Sequence, residues 1–351
     1  MARLKAKSEM YGERALIAAL RRRVEARGGV GASDLRLGIG DDAAIVRVRA
    51  GEELVVTTDF SLEGVHFRRD WHAPESVGHR CLARGLSDVA AMGARPVAAF
   101  LSLAAPEELL RARRGKSWVE RFFDGLLTLA EQHGCALAGG DTAEARGDAC
   151  FDIVVLGAVR RGRALLRSAA KAGDHIYVTG ALGGAAAELL ALERSPRRFA
   201  RVTKAEAGHP HLYPEPRVEV GRRLAALKGI DAAMDVSDGL SVDLAHLCEE
   251  SGVAAELDAG AIPVHRLAVE AERKGWAASA MDLALHGGED YELLFTAGPE
   301  ARVPRSVAGV SVHRIGRAVR KKARGPQVML RSDDGRERAL EARGWEHFGG
   351  S

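Results

Sequence analysis

The chain mixes strand-like and helix-like segments without a regular order. Short apolar runs such as 97–103 (VAAFLSL) are typical of buried strands, and 117–133 has the spacing of an amphipathic helix. A longer helical pattern follows Pro74 and stops at Gly93. Because these segments do not repeat as strand, helix and strand, the pattern favours an α+β fold over a doubly wound parallel sheet.

Length and local composition predict two domains. The 351 residues exceed the usual size of one domain. Hydrophobic residues make up 46% and charged residues 28%, which excludes a disordered chain. The segment 160–174 is basic and poor in apolar residues. We therefore predict an N-terminal domain over 1–160 and a C-terminal domain over 161–351.

Charge and composition exclude several classes of partner. The net charge is only +3, and aromatic residues make up 5%, so neither a basic surface nor a base-stacking platform is indicated. No apolar run is long enough for a membrane span, and the N-terminus lacks the apolar centre of a secretory signal. The four cysteines form no CxxC pair. We expect a cytoplasmic protein that binds neither nucleic acid nor membranes.

Three glycine-containing loops resemble phosphate-binding motifs in part. The loop 115–117 (GKS) has Leu110 where a P-loop requires its first glycine. The loop 38–43 carries two adjacent aspartates, which would repel a phosphate unless cations lie between them. The loop 180–184 (GALGG) could bind phosphate at a helix N-terminus or could be a plain strand-to-helix turn.

The most informative residues are aspartates that stand beside glycine, serine, threonine or another aspartate. A single one can cap a helix or form an Asx turn, as Asp238 could before the helix expected at 241–251. As a group, several follow strand-like runs whose ends can meet at one edge of a sheet. Carboxylates that converge without histidine or cysteine suit Mg²⁺, and so many of them indicate several ions and a highly charged ligand such as a nucleoside triphosphate. The group comprises Asp41, Asp42, Asp59, Asp88, Asp141, Asp235 and Asp238.

Three further segments contain candidates for ligand contacts. His66, in EGVHF, is either structural or a ligand contact. The segment 287–292 (GGEDYE) places carboxylates directly before a strand, where one could receive a cationic or amino group. Arg167 is one of many arginines that are mostly solvated, but a guanidinium near a nucleotide could bind phosphate or adenine.

Eight motifs, in this order, resemble those of the thiamine-monophosphate kinase family, in the superfamily of aminoimidazole ribonucleotide synthetase. The resemblance covers roughly 10–348, and the motifs read GIGDDAA, TTDxxxEGVHF, GLSDVAAMGARP, GGDT, RSxAKAGDxIYVTGxLG, DVSDGL, GGEDYELLFT and GWEHF. The resemblance implies an N-terminal mixed sheet that pairs with that of a second subunit in a homodimer, and a C-terminal α+β domain that closes the cleft. It also implies ATP-dependent phosphorylation of thiamine monophosphate to thiamine diphosphate by in-line γ-phosphoryl transfer with several Mg²⁺.

The resemblance assigns roles to residues of this chain without an obligatory covalent catalyst. The residues implied to bind metal are Asp42, Thr57, Thr58, Asp59, Asp88, Asp141, Asp235 and Asp238. Those implied to bind ATP are Gly140, Asp141, Arg167 and Ser237. Those implied to bind the substrate are His66, Glu289 and Trp345.

The chain departs from the family pattern at two places. After GGDT, the residues 143–146 (AEAR) replace a second threonine or serine and a basic residue, which affects the ATP contacts expected there. Ala342 stands near a position that is often aromatic, so the aromatic residue that contacts the substrate can be aligned differently. Trp345 is the best candidate in this segment. The stretch 195–217 carries no pattern that we interpret.

Other functions remain as alternatives. An aminoimidazole ribonucleotide synthetase is not expected to carry both EGVHF and GGEDYELLF. A selenide, water dikinase requires a reactive cysteine and a lysine in an N-terminal glycine-rich loop, and 28–34 (GGVGASD) has neither. The hydrogenase-maturation dehydratase ends in a cysteine, whereas this sequence ends in HFGGS. A non-enzymatic sensor of ATP and Mg²⁺ would bind the nucleotide without forming a product.

Overall fold

The computed structural model describes residues 13–27, 34–112, 115–205 and 208–344. The elements of the first half are α1 (Glu13–Ala26), β1 (Leu35–Leu37), β2 (Ile45–Val46), β3 (Glu52–Leu62), α2 (Pro74–Ala91), β4 (Arg95–Ala105), α3 (Trp118–Gln132), β5 (Ala136–Glu144) and β6 (Cys150–Arg160). Those of the second half are β7 (His175–Thr179), α4 (Gly184–Arg194), α5 (Pro196–Phe199), α6 (Val218–Ala226), β8 (Ala232–Val236), α7 (Leu240–Glu250), β9 (Val253–Asp258), α8 (Arg266–Arg273), α9 (Ala280–His286), β10 (Glu292–Ala297), β11 (Ser306–Val307), β12 (Val310–Arg320), β13 (Val328–Arg331) and β14 (Glu337–Ala339). Short 3₁₀ helices lie at Glu107–Leu109, Arg167–Ala169 and Ala259–Ala261.

The first half is a four-stranded mixed sheet with helices on one face. The strand order is β3–β6–β4–β5, in which β4 and β5 are parallel and the other neighbours are antiparallel. α2 and α3 bury Phe122 against Phe151 and Ile153 of β6. Pro74 begins α2, and a capping box between Ser117 and Glu120 begins α3. The helices and the buried strand expected from the sequence in this half are therefore confirmed.

α2 is the element that both halves of the chain share. It packs on α3 so closely that a Cβ at Gly78 would lie 1.9 Å from the carbonyl oxygen of Phe122, which only glycine allows. It also contacts β3 and β6 of the first half and α6 and β8 of the second. Side chains on α2 can therefore reach groups from both halves, and these side chains include Arg80, Arg84 and Asp88.

The second half is a larger mixed sheet with helices packed on it. Its eight strands run β14–β13–β9–β12–β7–β10–β8, with β11 added to β12. β13 and β9 are parallel, and the other pairs are antiparallel. α7 packs on β8 and β9, and every residue of β10 is buried. The two mixed sheets with segregated helices confirm the α+β fold.

One apolar core contains side chains from both halves of the chain. Its largest cluster joins Phe122 and Phe151 to Leu293 and Phe295 of β10. A second cluster lies within the second half and includes Ile176. The division into domains at 160 and 161 stays a prediction, because the first cluster draws on both sides of it.

The segment 195–217, which the sequence leaves uninterpreted, covers part of α2. It contains α5 and, over 208–217, turns and irregular backbone. Leu212 and Tyr213 are buried, and the carbonyl oxygen of Leu212 accepts a hydrogen bond of 2.8 Å from Ser76 of α2. Among the described residues, no helix has both the length and the apolar character of a bilayer span.

Candidate active site

Several residues that the resemblance assigns to metal meet where β3, α2 and β8 come together. These residues, which we call the acidic cleft, are Thr57, Asp59, Asp88, Asp235 and Asp238. The Thr57 hydroxyl of β3 donates a hydrogen bond to Oδ2 of Asp88 in α2. Ser87 Oγ, also in α2, donates to Oδ2 of Asp235 in β8 at 2.6 Å. Asp59 lies on the same face of β3 as Thr57, because side chains two residues apart in a strand share a face.

Burial and mutual repulsion disfavour the ionised forms of these carboxylates. Burial, together with the charge of Asp88, raises the pKa of Asp59 to about 6, although Arg84 opposes the shift. Burial and Asp88 likewise raise the pKa of Asp235 to about 7, against the hydrogen bond from Ser87 and the charge of Arg167. The protein alone therefore does not stabilise the ionised forms of these carboxylates fully.

This donor set fits cations that a ligand helps to bind. Among residues 13–27, 34–112, 115–205 and 208–344, no three carboxylate, imidazole or thiolate groups are arranged to hold a metal ion by themselves. Mg²⁺ usually takes one or two protein carboxylates and completes its octahedron with water and phosphate oxygens. Oxygen donors with unbalanced charge in one cleft suit Mg²⁺ that is shared with a phosphate ligand.

Asp243 is a residue of this site that the sequence analysis missed. Its Oδ2 accepts hydrogen bonds of 3.1 Å from the backbone N–H groups of Ser237, Asp238 and Gly239. Burial, followed by the charge of Asp235, raises the pKa of Asp243 to about 8. Asp243 thus fixes the loop that carries the predicted ATP contact Ser237. Its place in the first turn of α7 was the available signal.

The interpretation of Asp238 as a helix cap is wrong. The N-cap position of α7 is Gly239, and no side chain caps it. Asp243 meets the N–H groups at this end of the helix instead. The charge of Asp238 contributes to the raised pKa of Asp59, so Asp238 lies close to the acidic cleft.

Asp42, Gly140 and Asp141 lie at a second place, in a cavity of about 550 Å³ beside α1, β4 and β5. Gly140 has φ 146°, and a Cβ there would lie 1.9 Å from the carbonyl oxygen of Leu101, so glycine is required. Both aspartates are exposed. The assignments of these three residues to metal and ATP stay predictions.

The structure separates the two adjacent threonines and places Arg167 beside the cleft. Thr58 Oγ1 donates a 2.7 Å hydrogen bond to Oδ1 of Asp152, on the face of β3 that points away from α2. The Thr58 side chain is therefore not brought together with Thr57. Arg167 begins a short 3₁₀ helix, and its charge acts on both Asp88 and Asp235.

A second cavity, of about 400 Å³, adjoins the acidic cleft. We call it the adjoining cavity; its lining includes His66, Trp71, Arg84, His211, Ser237, Asp238 and Glu289. Asp238 belongs to both places, and Ser237 is its neighbour in the chain. The structure therefore brings two residues assigned to the substrate, His66 and Glu289, next to a residue assigned to metal and one assigned to ATP.

His66 has a defined hydrogen-bonding partner on one side of its ring. Its Nδ1 accepts a hydrogen bond of 2.9 Å from the backbone N–H of Leu62. A neutral imidazole that accepts at Nδ1 carries its proton on Nε2. His66 can therefore donate through Nε2 to an oxygen of a ligand in the adjoining cavity.

Glu289 is held in an unusual backbone conformation and among positive groups. Its φ of 65° is left-handed, which is uncommon for a residue with a Cβ, and its N–H donates to the carbonyl oxygen of Ser237 at 2.8 Å. Burial opposes the ionisation of Glu289, but Arg80, His211 and Arg84 together lower its pKa well below the ordinary range. Glu289 therefore presents an ionised carboxylate at the wall of the adjoining cavity.

The loop 180–184 is a turn whose amides are already used. The N–H groups of Gly183 and Ala185 donate to the carboxylate of Asp290 at 2.6 and 3.1 Å. Burial raises the pKa of Asp290 to about 7. Of the two interpretations of this loop, the strand-to-helix turn agrees with the structure, because a side chain occupies the place of a phosphate.

Two further expectations from the sequence concern Trp345 and the residues that follow GGDT. Trp345 lies outside the described residues. Residues 143 and 144 belong to β5, which ends at Glu144, so the departure from the family pattern begins within a strand. The effect of that departure on ATP contacts stays a prediction.

Comparison with known proteins gives consistent matches over both halves. The family model described as AIR synthase related protein, N-terminal domain, matches residues 40–159, and the corresponding C-terminal domain matches 171–328. Thiamine-monophosphate kinase from Bacillus subtilis (strain 168) is 35% identical over 323 residues, which cover 90% of this chain and 94% of that protein.

Solved structures agree with these matches. The crystal structure of thiamine-monophosphate kinase from Stenotrophomonas maltophilia K279a has a TM-score of 0.73 and 38% identity, and the match covers 90% of this chain and 96% of that chain. The structure of AaThiL complexed with AMPPCP and TMP has a TM-score of 0.70 and 31% identity, with 99% of both chains covered.

Proposed function

The chain belongs to the thiamine-monophosphate kinase family, and we propose that it transfers the γ-phosphoryl group of ATP to thiamine monophosphate, giving thiamine diphosphate and ADP. An oxygen of the monophosphate forms a bond to Pγ while the bond from Pγ to the bridging oxygen of ADP breaks. The relative complexed with AMPPCP and TMP, matched over nearly the whole chain, supports both reactants.

One observation carries this proposal. Asp238 belongs to the acidic cleft and also lines the adjoining cavity. A triphosphate at the cleft and a phosphate ester in the cavity would therefore meet at this residue. Phosphoryl transfer depends mainly on such positioning and on neutralising charge, and no protein nucleophile is required.

The acidic cleft supports the use of several Mg²⁺ ions. When bound, Mg²⁺ neutralises the charge between two anionic reactants and on the transferred group. Asp59, Asp88 and Asp235 would hold it, because their charges are not balanced by the protein. Arg167, whose charge reaches Asp88 and Asp235, would contact the triphosphate.

The adjoining cavity supports the binding of the acceptor. His66 would donate from Nε2 to a phosphate oxygen, and the ionised Glu289 would attract the positively charged thiazolium ring or accept from an amino group. Trp71 lines the same cavity and offers an aromatic surface within the described residues. Trp345 keeps its predicted role as a substrate contact.

An uncovered apolar face supports a homodimer. β3 is an edge strand, and Leu54, Val56 and Phe60 are 46%, 58% and 57% exposed on its face away from α2. A second copy of this chain would bury these side chains. V56D should therefore convert a dimer to a monomer in light scattering, and a V56D variant that stays dimeric would overturn this arrangement.

The activity is tested directly with purified protein, ATP, Mg²⁺ and thiamine monophosphate. We expect thiamine diphosphate and ADP to form in equal amounts, and neither to form after chelation of Mg²⁺. Thiamine without phosphate serves as the control acceptor. ATP binding without any diphosphate ester would contradict the proposal and favour the sensor. The cytoplasmic location stays a prediction.

A further inference from the structure

Arg80 lies behind the wall of the adjoining cavity and joins three of its parts. Its Nη2 lies 2.8 and 3.0 Å from the two carboxylate oxygens of Glu289 and 3.0 Å from the carbonyl oxygen of His66. Its Nη1 donates to the carbonyl oxygen of His211. The Arg80 side chain is only 6% exposed and does not line the cavity. It therefore acts on a ligand only through the residues that it holds.

A chain of two buried histidines approaches Glu289 from the other side. The N–H of Arg68 donates to Nδ1 of His72 at 3.2 Å, and Nε2 of His72 lies 3.1 Å from Nε2 of His211. Nδ1 of His211 lies 3.0 Å from Oε2 of Glu289, although the approach is not that of a straight hydrogen bond. Both histidines are 3% exposed.

The protons of this chain can be assigned. Burial lowers the pKa of His72 to about 2 and also lowers that of His211, so both rings are neutral. His72 accepts at Nδ1 and then donates from Nε2, which leaves the proton of His211 on Nδ1, facing Glu289. A proton on Nδ1 of His72 would instead donate to the carbonyl oxygen of Arg68, at 3.1 Å, and would turn a bare nitrogen of His211 toward the carboxylate.

We propose that Arg80, with His211, is a positioning residue for the acceptor: it fixes the Glu289 carboxylate and the His66 loop in one geometry at the adjoining cavity. This inference rests on the proposed function. An arginine is suited to the task because its planar fork can serve a carboxylate and two carbonyl groups at once. Glu289 and Tyr291 have left-handed backbone conformations, with φ of 65° and 51°. Residues with a Cβ rarely prefer this conformation, so contacts from the rest of the fold must hold the carboxylate in place.

The test uses steady-state kinetics of the full chain with R80Q, R80K and H211Q. In R80Q we expect the KM for thiamine monophosphate to rise roughly tenfold to a hundredfold, the range for losing a hydrogen bond to a charged group. The KM for ATP should stay unchanged, and kcat should change by less than about threefold. R80K keeps the charge but not the fork, and H211Q keeps the carbonyl that Arg80 binds, so both should show smaller increases.

The matched control is R121Q. Arg121 of α3 also pairs with a glutamate of α2, Glu75, to which its Nε and Nη2 donate at 2.8 and 2.9 Å, away from the cavity. R121Q should leave every kinetic constant as in the natural chain. If R80Q changes the constants no more than R121Q does, the inference is overturned.

A double variant shows whether Arg80 acts through Glu289. In R80Q/E289Q the KM for thiamine monophosphate should exceed that of E289Q by a smaller factor than R80Q causes in the natural chain, because one of the two groups that Arg80 positions is already lost. Independent roles would make the two effects multiply and would overturn the inference. Removing both charges together also avoids leaving either one buried without its partner.

The pH dependence gives a readout that a structural role would not change. Glu289 faces Arg80 and Arg84 from α2, His211 and, behind it, His72 and Glu188, and Tyr291 from its own segment. Without Arg80, burial dominates and the pKa of Glu289 rises. The ratio of kcat/KM for thiamine monophosphate between R80Q and the natural chain should then fall as the pH is lowered. A ratio that is constant with pH would contradict the inference, whereas an inactive natural chain would instead remove the proposed function.

Discussion

The acidic cleft and the adjoining cavity treat negative charge in opposite ways. In the acidic cleft, Asp59 is half-buried and Asp235 is buried, both beside other carboxylates, and their pKa values are raised to about 6 and about 7. In the adjoining cavity, Glu289 is half-buried but lies against Arg80 and close to Arg84, and its pKa is lowered. The two places share Asp238 and are built from the same helix, α2.

This difference indicates what each place requires from a ligand. The acidic cleft contains too little positive charge to keep its carboxylates ionised, and cations from outside would complete it, which suits a nucleotide bound with Mg²⁺. The adjoining cavity already contains its counter-ions, so it needs no metal to present an ionised carboxylate and suits an organic cation. Substitutions in the acidic cleft and in the adjoining cavity can test this difference separately.

The largest effect is expected for D59N. Asparagine keeps the shape of the side chain but removes the charge that would hold Mg²⁺, so turnover should fall by roughly a thousandfold or more, in line with the several kcal/mol that metals supply. Folding should not suffer, because the ionised carboxylate is disfavoured by burial and by Asp88. D258N, at an exposed carboxylate paired with Arg331, is the control.

Two measurements check D59N together: thiamine diphosphate formed per unit time, and thermal unfolding without Mg²⁺ at about pH 8, above the raised pKa of Asp59. A variant with near-natural turnover would show that Asp59 does not hold the metal. If D59N unfolds at a much lower temperature than D258N, the charge of Asp59 does not destabilise the folded chain.

The opposite result is expected for the stability of E289Q. Glutamine would leave Arg80 buried without its carboxylate, and breaking a buried ion pair from one side costs about 3–5 kcal/mol. Urea unfolding of E289Q and D59N, compared in the same buffer, measures the contrast. Equal stability of the two variants would remove the distinction between the cavity with its own counter-ions and the cleft without them.

Mg²⁺ itself should stabilise the folded chain before any nucleotide is added. Binding to the folded state alone contributes about 2.7 kcal/mol at a concentration one hundred times the Kd. Thermal unfolding should therefore shift upward with MgCl₂, and less so in D59N or D235N. NaCl at matched ionic strength is the control, since general screening would raise the stability without regard to these residues.

Much of the fold was predictable because its signals are local. Pro74 and Ser117 mark the starts of α2 and α3, and an uninterrupted apolar run predicted the buried strand β4. Local patterns say less about short elements such as β2, which has only Ile45–Val46. A two-residue strand depends on its partner β1 and not on its own sequence.

Some residues of the candidate site likewise have a local sequence signal, and others do not. Asp59 stands out because it follows two threonines after an apolar run, and it does converge with Thr57, Asp88 and Asp235. Arg80 was not predictable, because it lies 209 residues from Glu289 in the chain and looks like any arginine on a helix. Tertiary packing alone creates that contact. Alternation along β3, by contrast, could have shown that Thr57 and Thr58 face opposite ways.

Asp290 provides a third case, in which backbone amides rather than arginines donate to the carboxylate. The substitution of Asp290 is expected to have the smallest effect. Burial raises its pKa to about 7 despite the N–H groups of Gly183 and Ala185, so the folded chain binds this proton more tightly than the unfolded chain does. Stability from this group is complete at low pH and falls by about 1.4 kcal/mol for each pH unit between the two pKa values.

D290N should therefore lose that dependence. Its free energy of unfolding in urea, measured from about pH 4 to pH 8, should fall less steeply than that of the natural chain, while Asp59, Asp235 and Asp243 contribute equally to both. Asparagine offers one acceptor oxygen where the carboxylate offers two, which lowers stability by a constant amount at every pH. Parallel curves would mean that two amides suffice to keep Asp290 ionised, and that arginine is not what distinguishes Glu289 from the acidic cleft.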